Sequence, residues 1–144
     1  MRVLGIDFGD SRIGIAVSDP FGWTAQGICT ISWKNDIKVP IKEIKKIIDE
    51  YNIQKIIVGM PKNFNNTLGE RAKKTDKFIL ALKGNMEQKI DIIAWDERCS
   101  TICAQNTLNE MGIAKRKKRS VIDKVAAVHI LQNYLDYVSK NKKV

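Results

Sequence analysis

Short apolar runs separated by turn residues fill the first third of the chain. The runs cover residues 3–8, 13–17 and 28–32, and the breaks between them include Gly9-Asp10-Ser11 and Ser18-Asp19-Pro20. Short apolar runs bounded by glycine, proline and small polar residues are typical of strands. The pattern therefore predicts three consecutive strands that form a β-meander.

Helical spacing of apolar residues first appears after these strands. Isoleucines at positions 41, 44, 47 and 48 lie three or four residues apart or adjacent, which predicts an amphipathic helix over residues 39–50. The remaining pattern predicts strand 55–59, helix 70–82, strand 90–95 and helices 100–111 and 120–138, the last two capped by Ser100 and Ser120. The order β-β-β-α-β-α-β-α-α predicts an α/β fold of the ribonuclease H-like type, a five-stranded mixed sheet with helices on both faces.

The length of 144 residues fits one domain, which we expect to span residues 1–138 with a basic, flexible tail at residues 139–144. No apolar run approaches the roughly 20 residues that cross a bilayer, and the early Asp7 is unlike a signal peptide. Three cysteines cannot all pair with each other, so we expect no disulfides and a cytoplasmic setting.

The net positive charge of the chain indicates that this α/β domain attracts polyanions. Lysine and arginine number 25 against 16 acidic residues, a formal net charge of +9. Such an excess favours nucleic acid as a partner, although many lysine-rich proteins use it only for solubility. Five positive charges follow one another at Lys115, Arg116, Lys117, Lys118 and Arg119. They fall between the last two predicted helices, which indicates a basic loop.

Asp7 is the first candidate for metal chemistry. It lies near the end of the first predicted strand, in the segment Gly5-Ile6-Asp7-Phe8-Gly9. The flanking glycines remove side-chain bulk, so a phosphate or another backbone can approach the carboxylate closely. The alternative is a carboxylate that caps a nearby turn.

Two further acidic positions follow later in the chain. Asp96 and Glu97 come directly after the fifth predicted strand, where one could bind a metal ion while the other pairs with Arg98 or caps the next helix. Asp123 falls in the first turn of the last predicted helix, where the helix dipole alone would explain an acid. The small pair Ala126-Ala127 would let this helix approach the sheet and bring Asp123 towards the other acids.

Taken together, these acids predict a metal-assisted nuclease. Carboxylates that meet at one sheet edge suit hard divalent cations. Two such ions about 4 Å apart can activate a water and stabilise the leaving oxygen of a phosphodiester, while a basic loop holds the phosphate backbone. The single histidine, His129, lies among apolar residues of a predicted helix and is expected to be a packed or surface residue rather than a catalytic base. The cysteines do not form a plausible zinc site.

Five segments of the chain also resemble, in order, the motifs of a known family, the YqgF/RuvX family: Leu4–Gly9, Arg12–Asp19, Ile57–Pro61, Trp95–Thr101 and Asp123–Ala127. That family comprises pre-16S rRNA nucleases that are also described as Holliday-junction-resolvase-like proteins. The resemblance runs from Met1 to about Tyr137. It implies a ribonuclease H-like fold, a bacterial cytoplasmic setting and a divalent metal, for which we expect Mg²⁺ or Mn²⁺.

The resemblance also implies which residues do the chemistry. It places the family's acidic positions on Asp7, Glu97 and Asp123 as catalytic residues and metal ligands, with Asp96 as a further candidate ligand. Related resolvases carry an acid after the fourth strand, where this chain has Met60-Pro61-Lys62. Candidate contacts to nucleic acid are Arg12, Lys62, Asn63, Arg98, Lys115, Arg116, Lys117, Lys118, Arg119 and Lys124.

Three functions are open at this point. The favoured one is a metal-dependent nuclease that processes the 5′ end of pre-16S rRNA, with the precursor of the small ribosomal subunit as a partner. The second is a Holliday junction resolvase that cuts four-way DNA as a dimer. The third is a non-catalytic RNA-binding factor for ribosome assembly on the same fold. We expect a monomer or a weak homodimer, with no membrane partner.

Overall fold

The computed structural model describes residues 2–9, 11–60, 70–86, 90–96 and 115–141. Within these ranges five strands form one sheet: β1 (Arg2–Phe8), β2 (Arg12–Ser18), β3 (Ala25–Ser32), β4 (Ile53–Met60) and β5 (Asp91–Asp96). The helices of the same ranges are α1 (Lys38–Tyr51), α2 (Glu70–Gly84) and α3 (Lys115–Asn141). Each predicted strand is present, and its ends differ from the prediction by at most three residues.

The sheet is mixed, as the order of elements predicted. The strand order is β3-β2-β1-β4-β5. The pairs β1–β2 and β2–β3 are antiparallel, whereas β1–β4 and β4–β5 are parallel. β1, β4 and β5 therefore end at the same edge of the sheet, which we call the carboxyl edge.

Side chains of β1 alternate between the two faces of the sheet, and both faces are covered by helices. Leu4, Ile6 and Phe8 belong to the apolar cluster that includes α1 and α2. Val3 belongs to a second cluster, which α3 forms on the opposite face. Burial on both faces explains why β1 reads as an almost continuous apolar run. The prediction of helices on both faces is confirmed.

Helix α1 follows the predicted isoleucine stripe. Ile41, Ile44 and Ile48 are buried against the sheet. The helix ends at Tyr51, and the left-handed backbone of Asn52 (φ 53°) caps its last turn. The predicted helix over residues 100–111 lies outside the described residues.

The start of α3 differs from the prediction. The helix begins at Lys115 rather than at Ser120, so Ser120 does not cap it and the basic run is helical instead of forming a loop. Asp123 consequently lies in the third turn of the helix, not in its first. Lysine and arginine are good helix formers, but a run of charges has no apolar periodicity, so the pattern predicted the helix only from the point where apolar residues resume.

Helix α3 packs over β2 and runs antiparallel to β1. A Cβ atom at Gly5 of β1 would lie 3.1 Å from the Ala127 carbonyl oxygen, and Gly27 of β3 is in similar contact with Lys124. Further along the helix, the Gln132 side chain accepts a hydrogen bond from the Ala25 amide at the start of β3. The N-terminal part of α3 thus lies towards the carboxyl edge and its C-terminal part towards the opposite edge.

Helix α3 ends at Asn141, and the division into a domain of residues 1–138 and a tail of residues 139–144 stays a prediction. In the part of the chain that the structure describes, no helix combines the length and apolar character needed to cross a membrane.

Candidate metal and nucleic-acid site

Asp7 is a buried acid at the carboxyl edge, with 5% of its surface exposed. It lies on the face covered by α3. Alternate residues of a strand share a face, and Val3 and Gly5, which precede Asp7 by four and two residues, pack against that helix. Its partner across the antiparallel pair with β2 is Gly14. Gly14 therefore adds no side chain of its own beside the carboxylate.

Arg12 is the charged residue nearest to Asp7 along β2. It precedes Gly14 by two residues, so Arg12 and Asp7 share a face and are diagonal neighbours across the pair. Arg12 is half-buried. Burial of a carboxylate is costly unless an opposite charge or hydrogen bonds compensate it. A guanidinium at this position can also hold a phosphate that approaches the acid.

Asp96 ends β5 at the same edge. Its backbone pairs with Met60 at the end of β4, and β4 alone separates β5 from β1. At the usual strand spacing, the backbones of β1 and β5 are about 9–10 Å apart. Trp95 packs with the cluster of α3 and therefore lies on the same face as Asp7.

The backbone of Asp123 lies close to this edge as well. Ala127 contacts Gly5, and Asp123 precedes Ala127 by one helical turn, about 5–6 Å along α3. Asp7 follows Gly5 by two residues, about 6–7 Å along β1. Because α3 runs antiparallel to β1, both displacements lead to the carboxyl edge. The structure thus brings the backbone of Asp123 next to the end of β1.

The complete set of predicted ligands is not described. Glu97 lies outside the described residues, and of Asp96 and Asp123 only the backbone is described. Among the side chains that the structure does describe, no three histidine, cysteine, aspartate or glutamate residues come together as a metal-binding group. The assignment of Asp7, Asp96, Glu97 and Asp123 to metal ions stays a prediction.

The basic run extends beyond the acids. Lys115 precedes Asp123 by eight residues in α3, which is about 12 Å along the helix axis. Because the N-terminal part of α3 points towards the carboxyl edge, Lys115–Arg119 lies past the end of the sheet where Asp7 is placed. Five positive residues therefore flank the candidate metal site on a helix rather than on a loop.

Of the other predicted nucleic-acid contacts, Lys124 lies within the described residues, next to Asp123 in α3. Lys62, Asn63 and Arg98 lie outside the described residues. Lys124 lies over β3, where a Cβ atom at Gly27 would come within 2.7 Å of its Cγ, and β3 is two strands away from the strand of Asp7. Burial raises the pKa of the Cys29 thiol on β3, and the positive charge of Lys124 partly lowers it.

Trp33 is a residue of this edge that the sequence pattern did not indicate. Its indole Nε1 donates a hydrogen bond of 3.0 Å to the carbonyl oxygen of Gly9, two residues after Asp7. The two partners are 24 positions apart in the chain. Because the contact depends on the pairing of three strands, no local spacing in the sequence predicts it.

Solved structures of two resolvases share this fold. The chain is similar to T. thermophilus RuvC in complex with a Holliday junction substrate, with a TM-score of 0.62, 13% identity, and coverage of 99% of this chain and 97% of that one. It is also similar to fowlpox virus resolvase in a complex with Holliday junction DNA, with a TM-score of 0.55, 14% identity, and coverage of 96% and 99%. At such low identity these similarities establish the ribonuclease H-like fold and nothing more.

Sequence relatives match at far higher identity. A protein of Acetivibrio thermocellus named "putative pre-16S rRNA nuclease" is 54% identical over 142 residues, which cover 99% of both chains. A protein of Ruminiclostridium cellulolyticum with the same name is 48% identical over 143 residues, again with 99% of both chains covered. A family model described as "RuvX: Holliday junction resolvase" matches residues 1–137. The chain therefore belongs to the RuvX family.

Proposed function

We propose that the protein is a metal-dependent nuclease of the bacterial cytoplasm that processes the 5′ end of pre-16S rRNA. The names of relatives that are about half identical over nearly the whole chain support the activity and the substrate. The observation that carries the chemistry is the position of Asp7, a buried carboxylate at the edge where β5 also ends and towards which α3 brings Asp123.

The donors at this edge fit a hard divalent cation. Asp7, Glu97 and Asp123 would hold Mg²⁺ or Mn²⁺ through carboxylate oxygens, the ligands that both ions prefer. Gly14 supports the assignment, because the residue directly opposite Asp7 on β2 places no side chain beside the carboxylate. When bound, such ions activate a water and stabilise the leaving oxygen of a phosphodiester.

The alternation of side chains along β5 favours Glu97, the residue after this strand, over Asp96 as the metal ligand. Ile93 and Trp95 pack on the face of α3, the face on which Asp7 lies. Residues two apart in a strand share a face, so an extended chain continued by one residue beyond Asp96 would put Glu97 on that face. Asp96 lies one position out of this alternation. We therefore assign it the other role expected from the sequence, pairing with Arg98 or capping the next helix.

Positive residues on both sides of the acids are proposed to bind the substrate. Arg12 holds the phosphate next to Asp7, and Lys115–Arg119 binds the phosphates further along the strand. Lys62, Asn63, Arg98 and Lys124 complete the proposed contact set. Contacts of this kind position the backbone without reading sequence, so we assign selectivity for the rRNA precursor to its shape and its partners.

A second candidate function is the resolution of four-way DNA junctions. It is favoured by the description of the family model that matches residues 1–137. A resolvase has to present two active sites to opposed strands, so this function requires a symmetric dimer.

The experiment that separates these functions incubates the purified protein with Mg²⁺ or Mn²⁺ and one of three substrates: precursor 16S rRNA, a four-way DNA junction, or linear controls. Asp7→Asn measures contaminating nucleases, and Asp49→Asn, an exposed aspartate of α1, is the matched control for the loss of one negative charge. We expect cleavage near the 5′ end of the rRNA by the wild type and by Asp49→Asn, and none by Asp7→Asn. Paired nicks in the junction with intact rRNA would establish the second function instead. RNA binding without any cleavage would establish an assembly factor.

A further inference from the structure

The turn between β1 and β2 connects the two residues that are central to the proposed reaction. Asp7 precedes it and Arg12 follows it. The turn is tight, since a Cβ atom at Gly9 would lie 2.6 Å from the carbonyl oxygen of Arg12. A small change in this turn would therefore alter the position of the acid relative to the guanidinium.

Trp33 holds this turn at two points. Its backbone amide donates a hydrogen bond of 3.0 Å to the carbonyl oxygen of Ser11. Its indole Nε1 donates one of 3.0 Å to the carbonyl oxygen of Gly9. One residue at the end of β3 thus binds both the first and the last described residue of the turn.

The ring of Trp33 is itself held in place by other aromatic residues. It lies 5.7 Å from the ring of Phe8, at an angle of 33°. Phe8 stacks on Phe78 of α2, with ring centroids 4.5 Å apart and planes 17° apart. All three belong to the apolar cluster of α1 and α2, so Trp33 acts from the face opposite to Asp7.

We propose that Trp33 is a positioning residue for the reaction, whose indole N–H fixes the Gly9 carbonyl and thereby the placement of Asp7 relative to Arg12. The proposal rests on the proposed nuclease function. Trp33 does not touch the substrate in this scheme, since the turn and β1 lie between it and the face of Asp7. Its loss should therefore lower kcat and metal affinity and leave KM for RNA nearly unchanged.

The test uses Trp33→Phe, which keeps an aromatic ring against Phe8 and removes the indole donor. The matched control is Trp23→Phe, in the turn between β2 and β3 at the opposite edge of the sheet. Trp23 is 72% exposed, and it hydrogen-bonds through its backbone amide and carbonyl, which the substitution retains.

We expect kcat of Trp33→Phe to fall between about 10-fold and 100-fold, the range for a displacement of catalytic groups on the order of 1 Å. Trp23→Phe should keep the wild-type kcat. Two further readouts do not depend on cleavage: Mn²⁺ affinity by calorimetry, expected to fall about 10-fold, and deuterium uptake of a peptide over residues 8–13, expected to be faster while that of α1 is unchanged.

Each result decides between a positioning role and a structural one. Wild-type kcat and Mn²⁺ affinity in Trp33→Phe would overturn the proposal, even if deuterium uptake rises or the melting temperature falls. A rise in KM without a fall in kcat would overturn it too, because it would indicate that Trp33 contacts the substrate. If the wild type cleaves no substrate, the proposed function fails, and Mn²⁺ affinity together with deuterium uptake still decides whether Trp33 positions Asp7.

A second variant covers the case in which Trp33→Phe does not fold. Benzothienylalanine at position 33, introduced by codon suppression, replaces the indole N–H with sulfur and keeps the shape of the ring. The same fall in kcat and Mn²⁺ affinity is expected, and wild-type values for both would overturn the proposal.

Discussion

Gly5 of β1 and Leu131 of α3 are in such close contact that a Cβ atom at Gly5 would lie 2.7 Å from the Leu131 Cβ. The same atom would lie 3.1 Å from the carbonyl oxygen of Ala127. α3 therefore packs directly on the backbone of β1. The height of the helix above the sheet also sets the separation between Asp7, two residues after Gly5, and Asp123, one turn before Ala127.

This packing predicts that Gly5→Ala destabilises the protein. The added methyl group meets the Cβ and backbone atoms of α3, which cannot rotate away, so the helix has to move off the sheet. Overpacking of this kind costs about 1–3 kcal/mol of unfolding free energy, which denaturant titration measures. We also expect weaker Mn²⁺ binding, because Asp123 moves away from Asp7.

The matched control is Gly84→Ala at the end of α2, where nothing lies within 4 Å of the added atom. Its unfolding free energy should stay within about 0.5 kcal/mol of the wild type. If Gly5→Ala is as stable as this control, α3 does not pack on β1 as closely as the structure indicates.

The architecture could be predicted from the sequence because its elements are short and strongly patterned. β1 and β4 are buried on both faces and read as apolar runs, and the isoleucines of α1 follow the helical period. The start of α3 could not be predicted in this way. Its first residues, Lys115–Arg119, include no apolar residue whose spacing would distinguish a helix from a loop.

The residues of the candidate site and their edge of the sheet could be predicted from the sequence, but the contacts around Asp7 could not. Acidic residues at the ends of predicted parallel strands indicate one edge of the sheet, and the resemblance to a family assigns them roles. The residue opposite Asp7 on the paired strand is Gly14, and the turn after Asp7 is held by Trp33, which follows a third strand. Both depend on strand register, which a single sequence leaves undetermined.

Asp7→Asn is predicted to remove stabilisation by metal. For the wild type, Mn²⁺ at 100 times its dissociation constant should raise the unfolding free energy by about 2.7 kcal/mol. For Asp7→Asn the rise should be close to zero. In metal-free buffer the variant should be at least as stable as the wild type, since it relieves the repulsion expected between the carboxylates at this edge. Thermal unfolding with and without Mn²⁺ measures both effects, and an equal rise in the two proteins would remove Asp7 from the ligand set.

The proposed assignment predicts different effects for the adjacent acids Asp96 and Glu97. Glu97→Gln should abolish cleavage and weaken Mn²⁺ binding, because it removes the proposed ligand on the face of Asp7. Asp96→Asn should keep most of the activity and change stability by at most about 1 kcal/mol, the usual range for an exposed ion pair or a cap. The two variants remove the same charge from adjacent positions and so control for each other. Loss of activity in Asp96→Asn alone would reverse the assignment.

The basic run is predicted to contribute affinity and not turnover. Replacing Lys115–Arg119 with glutamine should weaken binding to every nucleic acid. A plot of log affinity against log salt concentration should also become less steep. For single-stranded nucleic acid, the slope should change by about 0.7 for each phosphate that the variant no longer neutralises. Glutamine is a good helix former, so α3 should be retained.

The control for this prediction removes four positive charges elsewhere. Lys38, Lys42, Lys45 and Lys46 all lie on α1, on the face of the sheet opposite to Asp7. Their replacement with glutamine should change the salt slope much less. Equal slopes for the two variants would mean that only the net charge matters and that α3 provides no specific contact.

The last prediction concerns the oligomeric state and the substrate. The large apolar side chains that the structure shows to be exposed lie on separate elements: Phe21 and Trp23 on the turn between β2 and β3, Val39 on α1, Leu80 on α2 and Tyr137 on α3. A stable dimer needs a contiguous interface with an apolar centre, and these scattered positions do not supply one. We therefore expect a monomer or a weak dimer that cleaves structured or single-stranded RNA in preference to a four-way junction. Sedimentation velocity with each substrate measures both properties, and a tight dimer that nicks the junction symmetrically while sparing the rRNA precursor would reverse the order of the two functions.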